Sequence, residues 1–304
     1  MSTLAPGVTV LERGWLSSNN IVVIGRQHCA VVDTGYCTHA AQTLALIERS
    51  LGERNLDLIV NTHLHSDHCG GNAALQARYP QSRTLIPPGQ AQAVRVWDEP
   101  TLSYQATGQQ CPRFGFDALL TPGQEVALGD ALWQVHAAPG HDAHSVILFE
   151  PVSRTLISAD ALWHNGFGVV FEELEGAHAF DDVARTLDLI ESLAPHTVIP
   201  GHGKVFTDVA AALDRARQRL GSFVRNPQRH AAHGIKVLLK FKLLELQRVR
   251  RAAFMQWAVA TPYVQQVHSR YFVDTAPDAW LAQMLQELVH AGAAQVHDGW
   301  LANT

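Results

Sequence analysis

Short apolar, β-branched runs separated by Gly, Asn, Ser and Pro fill the first two-thirds of the chain, and longer stripes at helical spacing fill the last third. Residues 8–11, 21–24 and 29–32 read as three short strands. Thr38 can cap a helix that runs to about Leu51, with Leu44, Ile47 and Leu51 on one stripe. Residues 56–60 predict a buried strand, and Gly70-Gly71-Asn72 opens a helix that ends near Tyr79-Pro80. Residues 83–86 form a further strand, stopped by Pro87-Pro88-Gly89, and a helix follows over 90–97. Residues 98–118 are irregular; Trp97 just before them, with Tyr104, Phe114 and Phe116 within, would either face a substrate from a lid or simply anchor the loop.

Strands resume from Val126, with apolar runs at 132–135, 155–157 and 197–199 and an amphipathic helix over 181–194. The last third predicts a helix over 208–224, a break at Asn226-Pro227 and a second helix over 230–251. Residues 253–272 are helical with a break near Pro262, and 277–291 form a helix that ends at Gly292. Residues 293–301 read as a strand, an Asp298-Gly299 turn and a second short strand. This order predicts an α/β or α+β fold.

One stretch changes the picture. The strand at 56–60 runs into Thr62-His63-Leu64-His65-Ser66-Asp67-His68-Cys69-Gly70-Gly71, which crowds three imidazoles and a carboxylate into six residues. Burying such a cluster costs several kcal/mol (~2–7 per unpaired group) unless something satisfies it, so the spacing points to a metal site. Cys69 reads as a packing residue. Three more candidates follow apolar runs in the same way: His141 in Pro139-Gly140-His141, Asp160 in Ser158-Ala159-Asp160, and His202 in Pro200-Gly201-His202-Gly203.

The His-x-His-x-Asp-His spacing with these later ligands resembles the metallo-β-lactamase superfamily, and in particular its glyoxalase II-like hydrolases. The resemblance covers about the first two-thirds of the chain. It implies a four-layer αβ/βα sandwich with metals at one edge between two sheets, over residues 1–227. A mostly helical, winged-helix-like module would occupy residues 228–304. It also implies that His63, His65 and His141 hold one metal, that Asp67, His68 and His202 hold a second, and that Asp160 bridges both. Asp67 and Asp160 would be the catalytic carboxylates, and Asp33 a support behind the site. The implied cofactors are two divalent ions, zinc first and iron or manganese next. Imidazole and carboxylate donors suit these better than the all-oxygen shells of calcium and magnesium.

The implied activity is hydrolysis by a metal-bridging hydroxide, on a thioester or related acyl bond. A phosphodiesterase or endoribonuclease acting on RNA, and a lactonase, are alternatives on the same scaffold. An iron-dependent persulfide dioxygenase would use His63, His65 and His141, and a nucleic-acid-binding sensor is the non-enzymatic alternative. Of the remaining histidines, His144 and His164 lie close enough in sequence to the ligands to be candidates for touching substrate.

Charge refines the list of partners. Residues 1–203 carry 10 basic and 21 acidic side chains, residues 204–251 carry 12 and 3, and the rest carry 1 and 4. The basic tract, including Arg215, Arg217, Arg219, Arg229, His233, Lys236 and Lys240, would meet a small anionic substrate, nucleic-acid phosphates or only solvent. Of these, a small anionic acyl or thioester substrate is the first expectation and nucleic acid the second. No apolar run reaches the ~18–20 residues of a membrane span. Residues 1–7 show no basic start before an apolar segment. The four cysteines have no paired spacing, so the expectation is a cytoplasmic enzyme without membrane partners.

Overall fold

The computed structural model describes residues 4–304, so the reading of residues 1–7 as free of a leader rests partly on residues outside that range. The first sheet contains β1 (Val8–Leu11), β2 (Asn20–Ile24), β3 (Cys29–Val32), β4 (Leu58–Val60), β5 (Arg83–Ile86) and β6 (Ala118–Leu119), side by side in chain order. β1 to β3 are antiparallel hairpins, and β3 to β6 are parallel. Parallel neighbours need crossovers. These are α1 (Ala40–Leu51), then α2 (Ser66–Cys69) with α3 (Asn72–Arg78), then α4 (Ala91–Val96) with α5 (Glu99–Leu102).

The second sheet holds β7 (Glu125–Leu128), β8 (Ala131–Ala137), β9 (Val146–Glu150), β10 (Thr155–Ala159) and β11 (Thr197–Pro200), again in chain order. Only β10 and β11 are parallel. α6 (Phe171–Glu175) and α7 (Phe180–Leu193) fall between them, and α8 (Val209–Arg225) packs on α7.

Side chains alternate along each strand and sort into layers. Ile21, Val23, Val32 and Val60 meet Trp133, Val135, Leu148, Ile157 and Ile199 between the sheets. Val22, Val31 and Ile59 face outward onto Ile47, Leu51 and Leu75, while Ile147, Phe149, Leu156 and Val198 face outward onto Val183, Leu187, Leu213 and Leu220. Both faces of each sheet are thus covered, which is why the strands read as continuous apolar runs. The result is the four-layer α/β sandwich.

The rest of the chain builds a separate apolar core. Its elements are α9 (Pro227–Leu246), β12 (Arg248–Arg250), α10 (Arg251–Ala260), α11 (Pro262–Tyr271), α12 (Pro277–His290), β13 (Ala294–His297) and β14 (Trp300–Asn303). The last two strands form the expected hairpin, and Asp298 (φ 48°) and Gly299 (φ 75°) supply the two positive φ values of a tight primed turn. Pro227, Pro262 and Pro277 each open a helix, where the missing N–H costs nothing.

Two local expectations differ from what forms. Residues 37–39 make a 3₁₀ turn, so α1 starts at Ala40 and Thr38 does not cap it. The helix expected to reach residue 251 stops at Leu246, because Gln247 turns left-handed (φ 59°) and Arg248 to Arg250 pair with β14 as a third strand. That pairing joins residues some fifty positions apart, and no local pattern announces it.

Candidate metal centre

All seven candidate ligands follow strand ends along one edge of the sandwich. β4 leads into His63, His65 and α2, where Asp67 and His68 sit; β8 leads to His141, β10 to Asp160 and β11 to His202. Backbone bonds tie these loops together: Asn19 N donates to Gly201 O (2.7 Å), Gly201 N to Ala159 O (2.7 Å), Ser18 N to Asp67 O (2.9 Å) and Val146 N to Thr62 O (2.9 Å). Ala159 takes a left-handed φ of 46° where the β10–β11 register slips, and this aims the next side chain, Asp160, along the edge.

The side chains converge as overlapping triads. His63, His65 and His141 each offer a nitrogen within 4.8 Å of the others, as do the donors of Asp67, His68 and His202; His63, His68 and Asp160 form a third such set. Asp160 reaches both sides, with Oδ2 3.4 Å from His141 Nε2 and Oδ1 3.5 Å from His68 Nε2. Asp67 Oδ2 lies 3.1 Å from His202 Nε2.

The donor chemistry fits a divalent cation. His63 Nε2 and His68 Nε2 are buried without a hydrogen-bond partner among the described residues, and a buried orphan of this kind costs about 1–3 kcal/mol unless something binds it. Their other nitrogens are anchored: His68 Nδ1 donates to Asp33 Oδ2 (2.7 Å), and His63 Nδ1 contacts Thr62 Oγ1 (3.1 Å). His141 Nδ1 donates to Val169 O (2.6 Å), which also leaves Nε2 facing the cluster. One nitrogen held by protein and the other turned inward is the arrangement that orients a metal-binding imidazole.

Electrostatics divide the cluster. Burial, then the neighbouring imidazoles, push His63 well below the usual imidazole range, and burial pulls His141 down to about 4. Both are neutral and ready to donate a lone pair. Burial acts the same way on His68, but Asp33, Asp160 and Asp67 outweigh it and raise its pKa. Burial would raise Asp160, yet His202 and His68 hold it well below the carboxylate range.

Several contributors were not read from the sequence. Trp15 stacks on His202 (centroids 5.3 Å apart, 13° between planes), and Trp163 Nε1 donates to Asp160 Oδ1 (3.1 Å). A Cβ on Gly201 would collide with Asp160 Oδ1, and one on Gly168 with His141 Nδ1, so both positions need glycine. The only available sign was Gly201 beside His202 in a Pro-Gly-His run.

A cavity of about 730 Å³ opens from the cluster and is walled in part by the C-terminal helices, through His233, Val237, Phe241 and Tyr263. Glu172 lines it with an unpartnered Oε2, and burial, then Asp142, raise its carboxyl to about 7. His164 also lines the cavity, bonded to Asp208 (3.1 Å), whereas His144 is exposed and does not. Of the four loop aromatics only Tyr104 lines the cavity; Trp97, Phe114 and Phe116 pack with Leu64, Ile86 and Val94 and anchor the loop.

Much of the basic tract is occupied internally. Arg215 pairs with Asp208, Arg217 with Asp188 and Glu191, and Lys236 with Glu287. Lys240 Nζ donates to Ala293 O (2.5 Å) and Asn303 Oδ1 (2.6 Å).

Two facing sheets with a His/Asp cluster at their shared edge define a metal-binding α/β sandwich. Residues 13–202 match the Metallo-beta-lactamase superfamily, and the chain belongs to it. Over 208 residues it is 28% identical to a hydroxyacylglutathione hydrolase of Brucella anthropi, covering 68% of this chain and 66% of the relative. Over 171 residues it is 30% identical to the enzyme of that name from Nostoc sp., covering 54% and 57%. The chain therefore spans between about half and two-thirds of the relatives' length. A solved metallo-beta-lactamase family protein from Thermus thermophilus superposes on 99% of this chain and 100% of its own (TM-score 0.57, 19% identity), so the fold is shared through the C-terminal segment. Among the described residues no helix is long and apolar enough to cross a membrane.

Proposed function

We propose that this protein is a dinuclear metal-dependent hydrolase of a thioester or related acyl bond. The observation that carries the reading is the place of Asp160, whose carboxylate lies within 3.5 Å of an imidazole nitrogen from each of the two triads. In this assignment His63, His65 and His141 would hold one ion, Asp67, His68 and His202 would hold the other, and Asp160 would serve both. Nitrogen and oxygen donors together favour zinc, with iron or manganese next. Bound ions of this kind lower the pKa of a shared water toward neutrality and polarise a carbonyl oxygen.

The chain's own groups do the rest. Asp67 faces the cavity and orients the attacking water, and Trp163 fixes the Asp160 carboxylate by its indole N–H. Phe171 packs against His65 and His141 and shields them from bulk water. The acyl reading is supported by the hydroxyacylglutathione hydrolase relatives. Nucleic-acid cleavage is less favoured, because most of the basic tract is spent on internal bonds. We place residues 1–227 as the catalytic unit, residues 228–304 as the cover of its cavity, and the enzyme in the cytoplasm, where the four free cysteines stay reduced.

The test is hydrolysis of glutathione and coenzyme A thioesters by zinc- or manganese-loaded protein, with Asp160→Ala as the blank. Turnover well above the blank is expected. Protein shown to hold two ions but inert toward every thioester would overturn the reading.

A further inference from the structure

Two cysteines that no sequence spacing pairs stand sulfur to sulfur. Cys69, one residue after the candidate ligand His68, is buried on α2, and Cys111 is half-buried in the irregular segment between α5 and β6. They are 42 positions apart, yet their Sγ atoms lie 3.8 Å from each other. Cys37 packs near the same segment but turns its Sγ to Gln110 O (3.4 Å), and Cys29 belongs to the apolar layer under α1.

Neither thiol of the pair is committed to a strong bond. Cys69 has one proton and three acceptors: Leu64 O (3.4 Å), His65 O (3.3 Å) and the hydroxyl oxygen of Tyr104 (3.3 Å), whose own proton goes to Leu64 O (2.9 Å). A thiol is a weak donor to any of them. Cys111 Sγ meets only the carbonyl of its neighbour Pro112, at 3.8 Å, besides Cys69.

The segment that carries Cys111 touches both the cavity and the C-terminal unit. Tyr104, Thr107 and Gln109 line the cavity, and Ser66 Oγ on α2 donates to Gln109 Oε1. Ala106 O accepts from Tyr263 N (3.0 Å), and Gln110 Nε2 donates to Glu245 Oε1 (2.9 Å). A disulfide holds its sulfurs about 2.05 Å apart, so the gap of 3.8 Å has to close. Cys69 sits on a helix tied to the ligand cluster, whereas Cys111 is flanked by residues in neither helix nor strand, so its side is the one that yields.

We infer that Cys69 and Cys111 are a redox-active dithiol, at which a hydroperoxide forms a reversible disulfide that draws one wall of the cavity toward α2. Cys111, the more accessible thiol, attacks the peroxide: its sulfur keeps one oxygen as a sulfenic acid, and the other oxygen leaves as water with the thiol proton. The Cys69 sulfur then displaces the sulfenic oxygen, which leaves with the Cys69 proton as a second water. The two thiols lose two electrons and the peroxide gains them. A dithiol reductant reverses the bond by exchange, and in a reducing compartment it is transient. The inference does not depend on what the metal centre hydrolyses.

The experiment treats zinc-loaded protein with a small excess of hydrogen peroxide, then counts thiols in denaturant and maps the peptides. The four free thiols should fall by two, with one Cys69–Cys111 crosslink inside a single chain, and dithiothreitol should restore them. The oxidised protein should hydrolyse a thioester about tenfold more slowly or worse, the order of effect of a displacement of ~1 Å beside a site, and recover on reduction. Cys111→Ser should keep its reduced-state rate and lose the crosslink, while Cys37→Ser should crosslink as the wild type does. A Cys37–Cys111 bond, a bond between chains, or Cys111 carried on to sulfinic acid with Cys69 still a thiol would each overturn the dithiol. A mapped crosslink with unchanged turnover would overturn its effect on the cavity. Protein that crosslinks as expected but cleaves no thioester would remove the acyl reading and keep the dithiol.

Discussion

Asp33 and His68 form a fully buried pair, with Asp33 Oδ2 2.7 Å from His68 Nδ1 and both side chains at most 1% exposed. The same carboxylate accepts from Thr62 N (2.9 Å) and Thr62 Oγ1 (2.8 Å), so one residue outside the cluster holds the start of the ligand loop and the ring orientation of a candidate ligand. Asp33→Asn keeps the shape and tolerates the left-handed φ of 58°. It should lower zinc affinity roughly ten- to hundredfold. Competition with a chromophoric chelator measures this, and wild-type affinity would show that the pair only supports the fold.

Asp160→Ala removes the one carboxylate that approaches both triads. Metal content should fall below two ions per chain, and thioester turnover should drop by about 10²–10³ or more. Metal analysis beside steady-state kinetics checks both; full occupancy with normal turnover would contradict the bridging assignment.

Gly201→Ala drives a methyl group into Asp160 Oδ1 and to 3.0 Å from His68 Cε1. The expected cost is about 1–3 kcal/mol of stability together with weaker metal binding. Gly14→Ala meets nothing within 4 Å and should stay within about 0.5 kcal/mol of wild type. Urea denaturation of the two variants gives the comparison, and equal midpoints would be the contrary result.

His230 predicts an acid-sensitive contact between α9 and the catalytic unit, where its ring lies against Phe180 and Phe223. Burial, then Arg219, lower its pKa from 6.5 to about 4 in the folded protein. Above pH 6.5 the ring is neutral in both states and its stabilising share is complete. As pH falls from 6.5 toward 4 only the unfolded chain gains the proton, so stability is lost over that window, by at most roughly 3 kcal/mol. His230→Gln can still accept from Val170 N, as His230 Nε2 does at 3.3 Å, and should flatten that part of the curve. Unfolding midpoints at intervals from pH 7 to 4 test it; parallel curves for the two proteins would argue against it.

Lys240 holds α9 to the terminal hairpin through Ala293 O and Asn303 Oδ1. Lys240→Met should cost about 1–3 kcal/mol and leave any affinity for RNA, and its salt dependence, unchanged. A filter-binding titration of RNA across salt concentrations, run beside thermal melts, separates the two roles. A shallower salt slope without loss of stability would return the basic tract to nucleic acid.

The chemistry of the centre was legible because each candidate ligand directly follows an apolar strand, and both features are local. His63 to His68 after residues 56–60, Asp160 after 155–157 and His202 after 197–199 can be picked out without knowing what lies opposite. The strands at 8–11, 29–32 and 83–86 and the Asp298-Gly299 hairpin were readable for the same reason, since period and turn chemistry are written in neighbouring residues.

Contacts between distant segments were not readable. The third strand, Arg248 to Arg250, forms only because β14 comes back beside it; intrinsic preference alone would have continued the helix. Charge counts likewise placed Arg219 and Lys240 in one basic tract. Only the packed structure separates Lys240, tied to residues more than fifty positions away, from Arg219, left without a counter-ion against a cavity. Residue spacing along the chain decides which groups are present and which local element carries them. Whether a buried charge is already neutralised depends on which segments pack against it, and that is a property of the tertiary fold alone.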